Sequence, residues 1–181
     1  MLVHWMGPTD ANSAGFVHGG VVMKLIDEVA GVAAGRHSRR RVVTAGADRL
    51  TFLLPIHVGE LVTLRASVNA AWRTSMEVGV RVETENPRTG ELRHTNTAYL
   101  TMVAVDDEGR PTAVPELIAE SPDELRRQAE AQLRRTNRLA EREQILAQRE
   151  REEACDGGGE RGREGARDGG GERGREGARE A

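Results

Sequence analysis

Residues 10–28 read Asp-Ala-Asn-Ser-Ala-Gly-Phe-Val-His-Gly-Gly-Val-Val-Met-Lys-Leu-Ile-Asp-Glu, and they are the most informative part of the sequence. A polar, glycine-rich loop runs into an apolar segment that predicts a helix over residues 20–34. Apolar residues cover most of the circumference of that helix, which predicts burial on nearly all sides. The segment is too short and too interrupted by charge to span a bilayer.

Asp27 is an acid inside this apolar helix. Burying an unpaired carboxylate is costly, so the group needs a partner or access to water. Lys24 and Glu28 lie four residues apart and are predicted to pair with each other. Two interpretations of Asp27 stay open at this point: a catalytic carboxylate, or a partly exposed helix acid bonded to Lys24.

The loop before the helix predicts a site for a developing negative charge. Gly15, Gly19 and Gly20 allow the backbone to approach a ligand closely. The first N–H groups of a helix have no partner inside it, and they can donate to an oxyanion with help from the helix dipole. The alternative for His18-Gly19-Gly20 is a tight turn that only caps the helix.

The spacing of these groups predicts a shared site. Gly19 and Asp27 are eight residues apart, which is roughly 12 Å along one helix at 1.5 Å per residue. A carbonyl held at the helix N-terminus is therefore too far from Asp27 of the same chain. We expect an obligate dimer with the helix end from one subunit, the acid from the other, and two sites related by symmetry.

The run of residues 10–31, followed by Arg36-His37 and Val43-Thr44-Ala45, resembles the acyl-CoA thioesterases of the hotdog fold. The resemblance is to the cytosolic acyl-coenzyme A hydrolase group, which includes brain acyl-CoA hydrolase, and it covers about residues 8–120. It implies an α+β protein with an antiparallel sheet wrapped around a long central helix. The family's catalytic asparagine and acid fall on Asn12 and Asp27. Because one domain here holds both residues, the chain resembles the single-domain, homo-oligomeric bacterial type.

The resemblance implies hydrolysis of a fatty acyl-CoA to a free acid and coenzyme A. Asp27 would act as general base on a water or attack the carbonyl itself, and the sequence leaves both open. Asn12 of the partnering subunit would orient the reacting group, the N–H groups of Gly19 and Gly20 would hold the thioester oxygen, and His18 would position the loop. No metal or separate cofactor is expected, since the histidines show no metal-ligand spacing.

The phosphates of coenzyme A need cationic and hydrogen-bonding partners. The candidates are Arg73, Thr74, Ser75 and Arg36. We expect a homo-oligomer built from dimers, as a hexamer (a trimer of dimers) or a tetramer.

Two other functions are compatible with the fold. A hotdog hydroxyacyl dehydratase usually carries a histidine five residues after its aspartate, and here Val32 stands five after Asp27. A non-catalytic acyl-CoA-binding or sensing module usually lacks the acid or carries a DNA-binding domain. Asp27 is retained here and no such domain is apparent.

After the predicted helix, the alternation of apolar and polar residues predicts four strands. Residues 41–54, 60–70, 75–83 and 91–105 are predicted as strands, with a short first strand near residues 2–6. In the third of these segments Met76, Val78, Val80 and Val82 face one way, and the intervening residues 77, 79, 81 and 83 face the other.

Composition and the C-terminal region complete the prediction. The chain has 181 residues, a net charge of −3 and one cysteine, Cys155, so no intrachain disulfide is possible. We expect no nucleic-acid partner, no membrane insertion and a cytoplasmic location. Residues 1–120 are predicted as the globular domain and 121–153 as a charged helix that begins with a capping box at Ser121. Its apolar stripe is Leu125, Ala129 and Leu133, and residues 154–181, which contain a twelve-residue repeat, are predicted to be disordered.

Overall fold

The computed structural model describes residues 1–159, with side chains as far as residue 152. The strands are β1 (Leu2–Trp5), β2 (Arg41–Ala47), β3 (Leu61–Ala71), β4 (Ser75–Glu85) and β5 (Leu92–Val105). The helices are α1 (Gly19–Ser38) and α2 (Pro122–Gly159), with a 3₁₀ turn at Pro8–Asp10 in the loop before α1. The order of elements is the predicted one.

The strands form one antiparallel sheet in the order β1-β3-β4-β5-β2. Helix α1 packs against one face of the curled sheet, which is the predicted hotdog architecture. The core between them is aliphatic, because the chain has few aromatic residues. Its fully buried members include Met6, Val22, Ala30, Leu64, Met76, Val78, Val80, Val82 and Ala104.

The prediction that α1 is buried on nearly all sides is wrong within one chain. The sheet covers the face that carries Val22, Leu25, Ile26, Val29, Ala30 and Ala34. The rest of the circumference carries the exposed residues Lys24, Asp27 and Glu28. Met23 is 51% and Val32 61% exposed, and their separation of nine residues places one at each flank of this polar strip. A five-stranded sheet covers only one side of a helix, so these exposed apolar residues need a different partner. The predicted pair on this exposed side is present, with Lys24 Nζ 3.7 Å from Glu28 Oε1.

Strand β2 is shorter than predicted. It ends at Ala47 instead of residue 54, and its pairing with β5 shifts register between Thr44 and Gly46. The chain then follows β5 with isolated bonds, from Asp48 N to Tyr99 O at 2.9 Å and from Leu53 N to Thr95 O at 3.1 Å. A loop therefore replaces the second half of the predicted strand, and it leaves Phe52, Leu53 and Leu54 exposed.

The alternation in β4 is confirmed, but its outer face is also partly covered. Met76, Val78, Val80 and Val82 are fully buried against α1, as predicted. Glu77 on the other face is fully buried as well, because Arg134 of α2 reaches it with Nη2 at 2.7 Å and Nε at 3.2 Å. The Arg134 guanidinium also stacks 3.6 Å from the ring centre of Tyr99. Burial lowers the pKa of Arg134, but the hydrogen bonds and the charge of Glu77 raise it more, so the net shift is upward.

The predicted capping box begins α2. Glu124 Oε2 accepts the N–H groups of Ser121 at 3.0 Å and of Glu120 at 3.1 Å, and Ser121 Oγ accepts the N–H of Glu124 at 3.3 Å. Leu125, Ala129 and Leu133 are exposed, so the apolar stripe of α2 does not pack against its own domain. Ala131 and Arg134 pack on the sheet instead. The buried ion pair between Arg134 and Glu77 sets the rotation of α2 about its axis. A pattern of apolar residues does not reveal such a pair.

Helix α2 continues to Gly159, beyond its predicted end and into the first repeat. Arg, Glu, Gln and Ala have high helix propensities, and their run through residues 138–154 extends the helix. Residues 1–134 form one compact unit, and a second unit starts at Arg135. No helix in the described part of the chain has the length and hydropathy needed to cross a membrane. The rest of the predicted disordered tail lies outside the described residues.

Candidate active site

Asn12 organises the loop that leads into α1. Its Oδ1 accepts the backbone N–H groups of Ala14 at 2.9 Å and Phe16 at 3.1 Å, and its own N–H donates to Phe16 O at 2.7 Å. These bonds close a turn of the kind that asparagine favours. The Nδ2 group of Asn12 has no acceptor within the described residues, so its two N–H donors remain available to a ligand.

His18 is the N-cap of α1. Its side chain occupies one of the two backbone N–H groups that were predicted as oxyanion donors. His18 Nδ1 accepts the N–H of Gly20 at 3.0 Å. A Cβ at position 20 would lie only 3.2 Å from that nitrogen, which explains why glycine suits the position. The N–H of Gly20 is therefore occupied. The N–H of Gly19, which has no acceptor in the part of the chain that the structure describes, is the remaining candidate.

Asp27 lies in the middle of α1 and is exposed, in contrast to the predicted buried acid. Its Oδ1 accepts a hydrogen bond from Thr44 Oγ1 on β2 at 2.5 Å. The alternative pairing with Lys24 is not formed, because Lys24 pairs with Glu28. Thr44 belongs to the motif that carries the resemblance, but it was not predicted as a site residue. A strand hydroxyl facing a helix carboxylate becomes apparent only when β2 is placed beside α1.

The predicted site residues lie in two groups that are separated along α1. Asn12, His18 and Gly19 lie together where α1 begins, and Asp27 lies two turns further along the same unbroken helix. Eight residues of helix correspond to about 12 Å along the axis. One chain therefore presents the N-terminus of α1 and the Asp27 carboxylate at separate places, as the spacing predicted.

Asp27 lies where α1 and the edge of the sheet both face solvent. Met23 is exposed one turn before Asp27 on the same helix. Edge strand β2, which carries Thr44, is exposed at six of its seven positions. A free sheet edge beside an exposed apolar side chain is a surface on which another protein chain can pack.

The predicted coenzyme A contacts are dispersed. Arg73, Thr74 and Ser75 lie at the turn that joins β3 to β4, where Thr74 O accepts the N–H of Ala104 at 3.0 Å. The eleven residues of β3, about 36 Å at 3.3 Å per residue, separate this turn from the end of the sheet nearest Gly19. Arg36 comes nine residues after Asp27 on α1, which places it on the opposite side of the helix. There it lines an apolar cavity of about 510 Å³ between α1, β1 and β3.

The described side chains contain no group of three or more His, Cys, Asp or Glu residues arranged to hold a metal ion. The groups that the site offers are one carboxylate, one side-chain amide, one hydroxyl and one free backbone N–H. This set can activate a water or attack a carbonyl, and it can hold the resulting negative charge.

Comparison with known proteins places this arrangement in a family. Residues 14–91 match the family model described as the thioesterase superfamily. Protein VdlD of Helicobacter pylori is 42% identical over 127 residues, which are 70% of this chain and 72% of that protein. The cytosolic acyl coenzyme A thioester hydrolase of Rattus norvegicus is 37% identical over 144 residues, 78% of this chain and 38% of the rat protein.

Solved structures of acyl-CoA thioesterases and hydrolases are also similar to this chain. An apo-hexameric acyl-CoA thioesterase superposes with a TM-score of 0.75 at 38% identity, over 77% of this chain and 90% of that one. The acyl-CoA hydrolase of Staphylococcus aureus, solved with butyryl coenzyme A and coenzyme A, has a TM-score of 0.74 at 33% identity and covers 85% of this chain and 93% of that one. The chain therefore belongs to the thioesterase superfamily, among proteins of the acyl-CoA hydrolase type.

The Staphylococcus aureus enzyme has also been solved as three alanine variants, at an asparagine, an aspartate and a threonine. In that enzyme the asparagine precedes the aspartate by 15 residues and the threonine follows it by 17. Asn12, Asp27 and Thr44 have the same two separations in this chain.

Proposed function

We propose that this protein hydrolyses acyl-CoA thioesters to a free carboxylic acid and coenzyme A. The observation that carries the proposal is the Asp27 carboxylate, held by Thr44 on the exposed face of α1. The names of the relatives support the same substrate class. The spacing of the variants chosen in the Staphylococcus aureus enzyme supports Asn12, Asp27 and Thr44 as its working residues.

In this proposal the site forms between two subunits. A two-fold axis brings Gly19 and Asn12 of one chain to Asp27 of the other, and the same operation completes a second site. The contact surface contains the exposed face of α1 around Met23 and Asp27. Its burial would remove the apolar area that a single chain leaves in water. The apo-hexameric relative supports assembly of such dimers into a hexamer, as a trimer of dimers.

The reaction needs an activated oxygen nucleophile and a holder for the thioester oxygen. The carbonyl oxygen accepts the free N–H of Gly19, where the helix dipole also favours negative charge. Asp27 takes a proton from a water that attacks the carbonyl carbon, the C–S bond breaks, and the proton passes to the departing thiolate of coenzyme A. In the alternative route, an Asp27 oxygen attacks the carbonyl carbon, the C–S bond breaks and the thiolate of coenzyme A leaves. Water then opens the resulting anhydride to give the free acid and the Asp27 carboxylate, and its proton goes to the thiolate. The Nδ2 group of Asn12 orients the attacking or reacting oxygen in either case.

A single turnover in ¹⁸O-labelled water separates the two routes. Direct attack places labelled oxygen in the Asp27 carboxylate when water opens the anhydride at the aspartyl carbonyl carbon, whereas the water route places the label in the released acid and leaves Asp27 unlabelled. Mass spectrometry of the peptide that contains Asp27 distinguishes the outcomes.

Release of free thiol from a panel of acyl-CoA substrates tests the function itself. The wild-type protein is expected to release coenzyme A, and Asp27→Ala is expected to lose turnover while it keeps its oligomeric state in size-exclusion chromatography. Full activity in Asp27→Ala would remove the proposed role of this residue. The proposal includes a cytoplasmic location, in line with the name of the rat relative.

A further inference from the structure

The cavity between α1, β1 and β3 is a second place where this chain can hold a small molecule. It has a volume of about 510 Å³, and its walls are mainly aliphatic, with Val29, Val32 and Ala33 on α1 and Ala66 and Val68 on β3. Apolar walls, few polar groups and a volume of about 300–1,000 Å³ are typical of small-molecule sites. We call it the Val32 cavity.

The Val32 cavity lies on the flank of α1 that is remote from Thr44. Val32 comes five residues after Asp27, which turns it about 140° around the helix from that carboxylate. Asp27 bonds to Thr44 on β2, whereas β1 and β3, which wall the cavity, form the other end of the sheet. A molecule in the Val32 cavity therefore leaves Asp27 of the same chain uncovered.

Val32 is the apolar residue on this flank that most needs a cover. It is 61% exposed, although Val29 on the preceding turn is buried. Removal of apolar surface from water is favourable in proportion to the area that is buried. An aliphatic chain that lies along the cavity would contact Val32 and bury it without any movement of the fold.

Arg36 places a positive charge at one end of the cavity. Its guanidinium has no acidic partner among the described residues. A guanidinium binds a carboxylate with two parallel hydrogen bonds. Arg39 and Arg40 follow closely, so this end of α1 is positively charged although the helix dipole contributes a partial negative charge there.

The acid that lines the cavity lies at its other end. Glu28 comes eight residues before Arg36, which corresponds to about 12 Å along α1. Its Oε1 lies 3.7 Å from Lys24 Nζ, so a neighbouring cation offsets its charge. An anionic head group at Arg36 is therefore well separated from the carboxylate of Glu28.

We propose that the Val32 cavity binds a free fatty acid of medium chain length, with its carboxylate on Arg36 and its alkyl chain along Val32 and Ala66. A single cation beside aliphatic walls fits an amphiphile with one negative head group. The seven C–C bonds of octanoate, at about 1.5 Å each, span at most about 11 Å, and the helix wall from Glu28 to Arg36 is about 12 Å long.

The ligand class follows from the cavity, whereas the statement that this ligand is also the product of the enzyme rests on the proposed function. The protein then has a site for the released acid on the same helix as the catalytic carboxylate but on its other flank. Substrate and free acid can be bound to one chain at the same time.

Calorimetric titration of the full-length oligomer with octanoate tests the role of Arg36. The wild type is expected to bind octanoate at least about tenfold more tightly than 1-octanol, which lacks the carboxylate. Arg36→Gln should lower the affinity for octanoate to that for octanol and leave octanol binding unchanged. Arg40→Gln, at an exposed arginine outside the cavity, is the matched control and should bind both as the wild type does.

A substitution that fills the cavity tests the position of the alkyl chain. Ala66→Leu adds a larger side chain to the wall on β3 and should weaken octanoate binding at least about tenfold. Ala140→Leu adds the same atoms at an exposed position of α2 and should have no effect. Thermal unfolding checks that Ala66→Leu is folded, and Ala33→Leu on the helix wall makes the same test if it is not.

Competition with a non-hydrolysable acyl-CoA thioether decides where the acid binds. Octanoate is expected to bind with unchanged affinity and stoichiometry when the protein is saturated with the thioether. Displacement of octanoate by the thioether would place the acid in the active site and overturn the proposal. Absence of octanoate binding to the wild type, as when a neighbouring subunit covers the cavity, would also overturn it.

These binding measurements do not depend on turnover, so they separate this proposal from the proposed function. If the wild type releases no thiol from any acyl-CoA but binds octanoate through Arg36, the fatty-acid site stands and the proposed function falls. If the wild type hydrolyses acyl-CoA and both Arg36→Gln and Ala66→Leu bind octanoate as tightly as the wild type, only the proposal about the Val32 cavity falls.

Discussion

Thr44 Oγ1 on β2 donates a hydrogen bond to Oδ1 of Asp27 on α1, at 2.5 Å. The bond fixes a carboxylate that solvent reaches, and it connects an edge strand with the exposed side of the central helix. The same hydroxyl lies 3.4 Å from Met102 Sδ, so Thr44 is itself positioned by the core. The carboxylate is thereby oriented before any substrate or partner arrives.

Removing this hydroxyl should slow the reaction. A hydrogen bond to a charged group contributes about 1.5–3 kcal/mol, so Thr44→Val should lower kcat by about 10- to 150-fold if the bond matters equally in the transition state. Thr44→Ser keeps the hydroxyl and should retain most of the activity. Steady-state kinetics measure both, and a Thr44→Val variant with the kcat of the wild type would show that the bond is structural only.

The buried pair of Glu77 and Arg134 should contribute strongly to stability. Arg134→Met leaves the Glu77 carboxylate buried without its cation, and this should cost about 3–5 kcal/mol in the free energy of unfolding. The double variant Glu77→Met with Arg134→Met removes both charges and should recover most of that loss. Urea unfolding measures these values.

Arg126→Ala is the matched control on the same helix, since the pairs of Arg126 with Asp123 and Glu130 are exposed. Its cost should stay below about 1 kcal/mol. Equal losses in Arg126→Ala and Arg134→Met would contradict a special role for the buried pair.

The capping box of α2 should give stability that depends on pH. The backbone N–H groups of Ser121 and Glu120 hold the pKa of Glu124 below its ordinary value. A lowered pKa in the folded chain adds stability that is fully present above the unfolded value of about 4.3 and disappears as pH falls through the folded value. Glu124→Gln should therefore be less stable than wild type near neutral pH, and the difference should shrink in acid.

Thermal unfolding at several pH values checks this effect. The control is Glu116→Gln, at an exposed glutamate in the segment before α2. A stability gap between wild type and Glu124→Gln that stays constant down to acidic pH would rule out the carboxylate as its cause.

The sequence predicted the elements better than it predicted their exposed surfaces. The alternation in β4 and the capping box of α2 are local patterns, and both are confirmed. The burial of α1 was predicted wrongly because periodicity shows that a face is apolar without showing what covers it. One side of α1 meets the sheet, while Met23 and Val32, which flank the opposite side, are exposed in the single chain.

For the candidate site, too, the sequence predicted local features and missed contacts between distant segments. Asn12 and Asp27 follow from the family resemblance, and the helix geometry indicates that Gly19 and Asp27 serve different sites. The role of Thr44 depends on which segments become neighbours in three dimensions. Thr44 is 17 residues from Asp27 and lies on a different element. No local pattern in the sequence reports these long-range contacts.

The central claim is that each active site takes Asn12 from one subunit and Asp27 from the other. Subunit exchange between inactive variants tests it most directly. In a dimer of Asn12→Ala with Asp27→Ala, one of the two sites has both residues intact. Random exchange of equal amounts makes half of the dimers mixed, so about a quarter of the wild-type activity should return.

The converse mixture gives the decisive comparison. Wild-type chains are exchanged with an equal amount of the double variant that carries both Asn12→Ala and Asp27→Ala, and complete exchange is verified by native mass spectrometry. A shared site predicts that both sites of every mixed dimer are dead and that total activity falls to about a quarter of that of the same total amount of wild type. Activity at about half of wild type, with no recovery when the two single variants are mixed, would place Asn12 and Asp27 in the same chain's site and contradict the account.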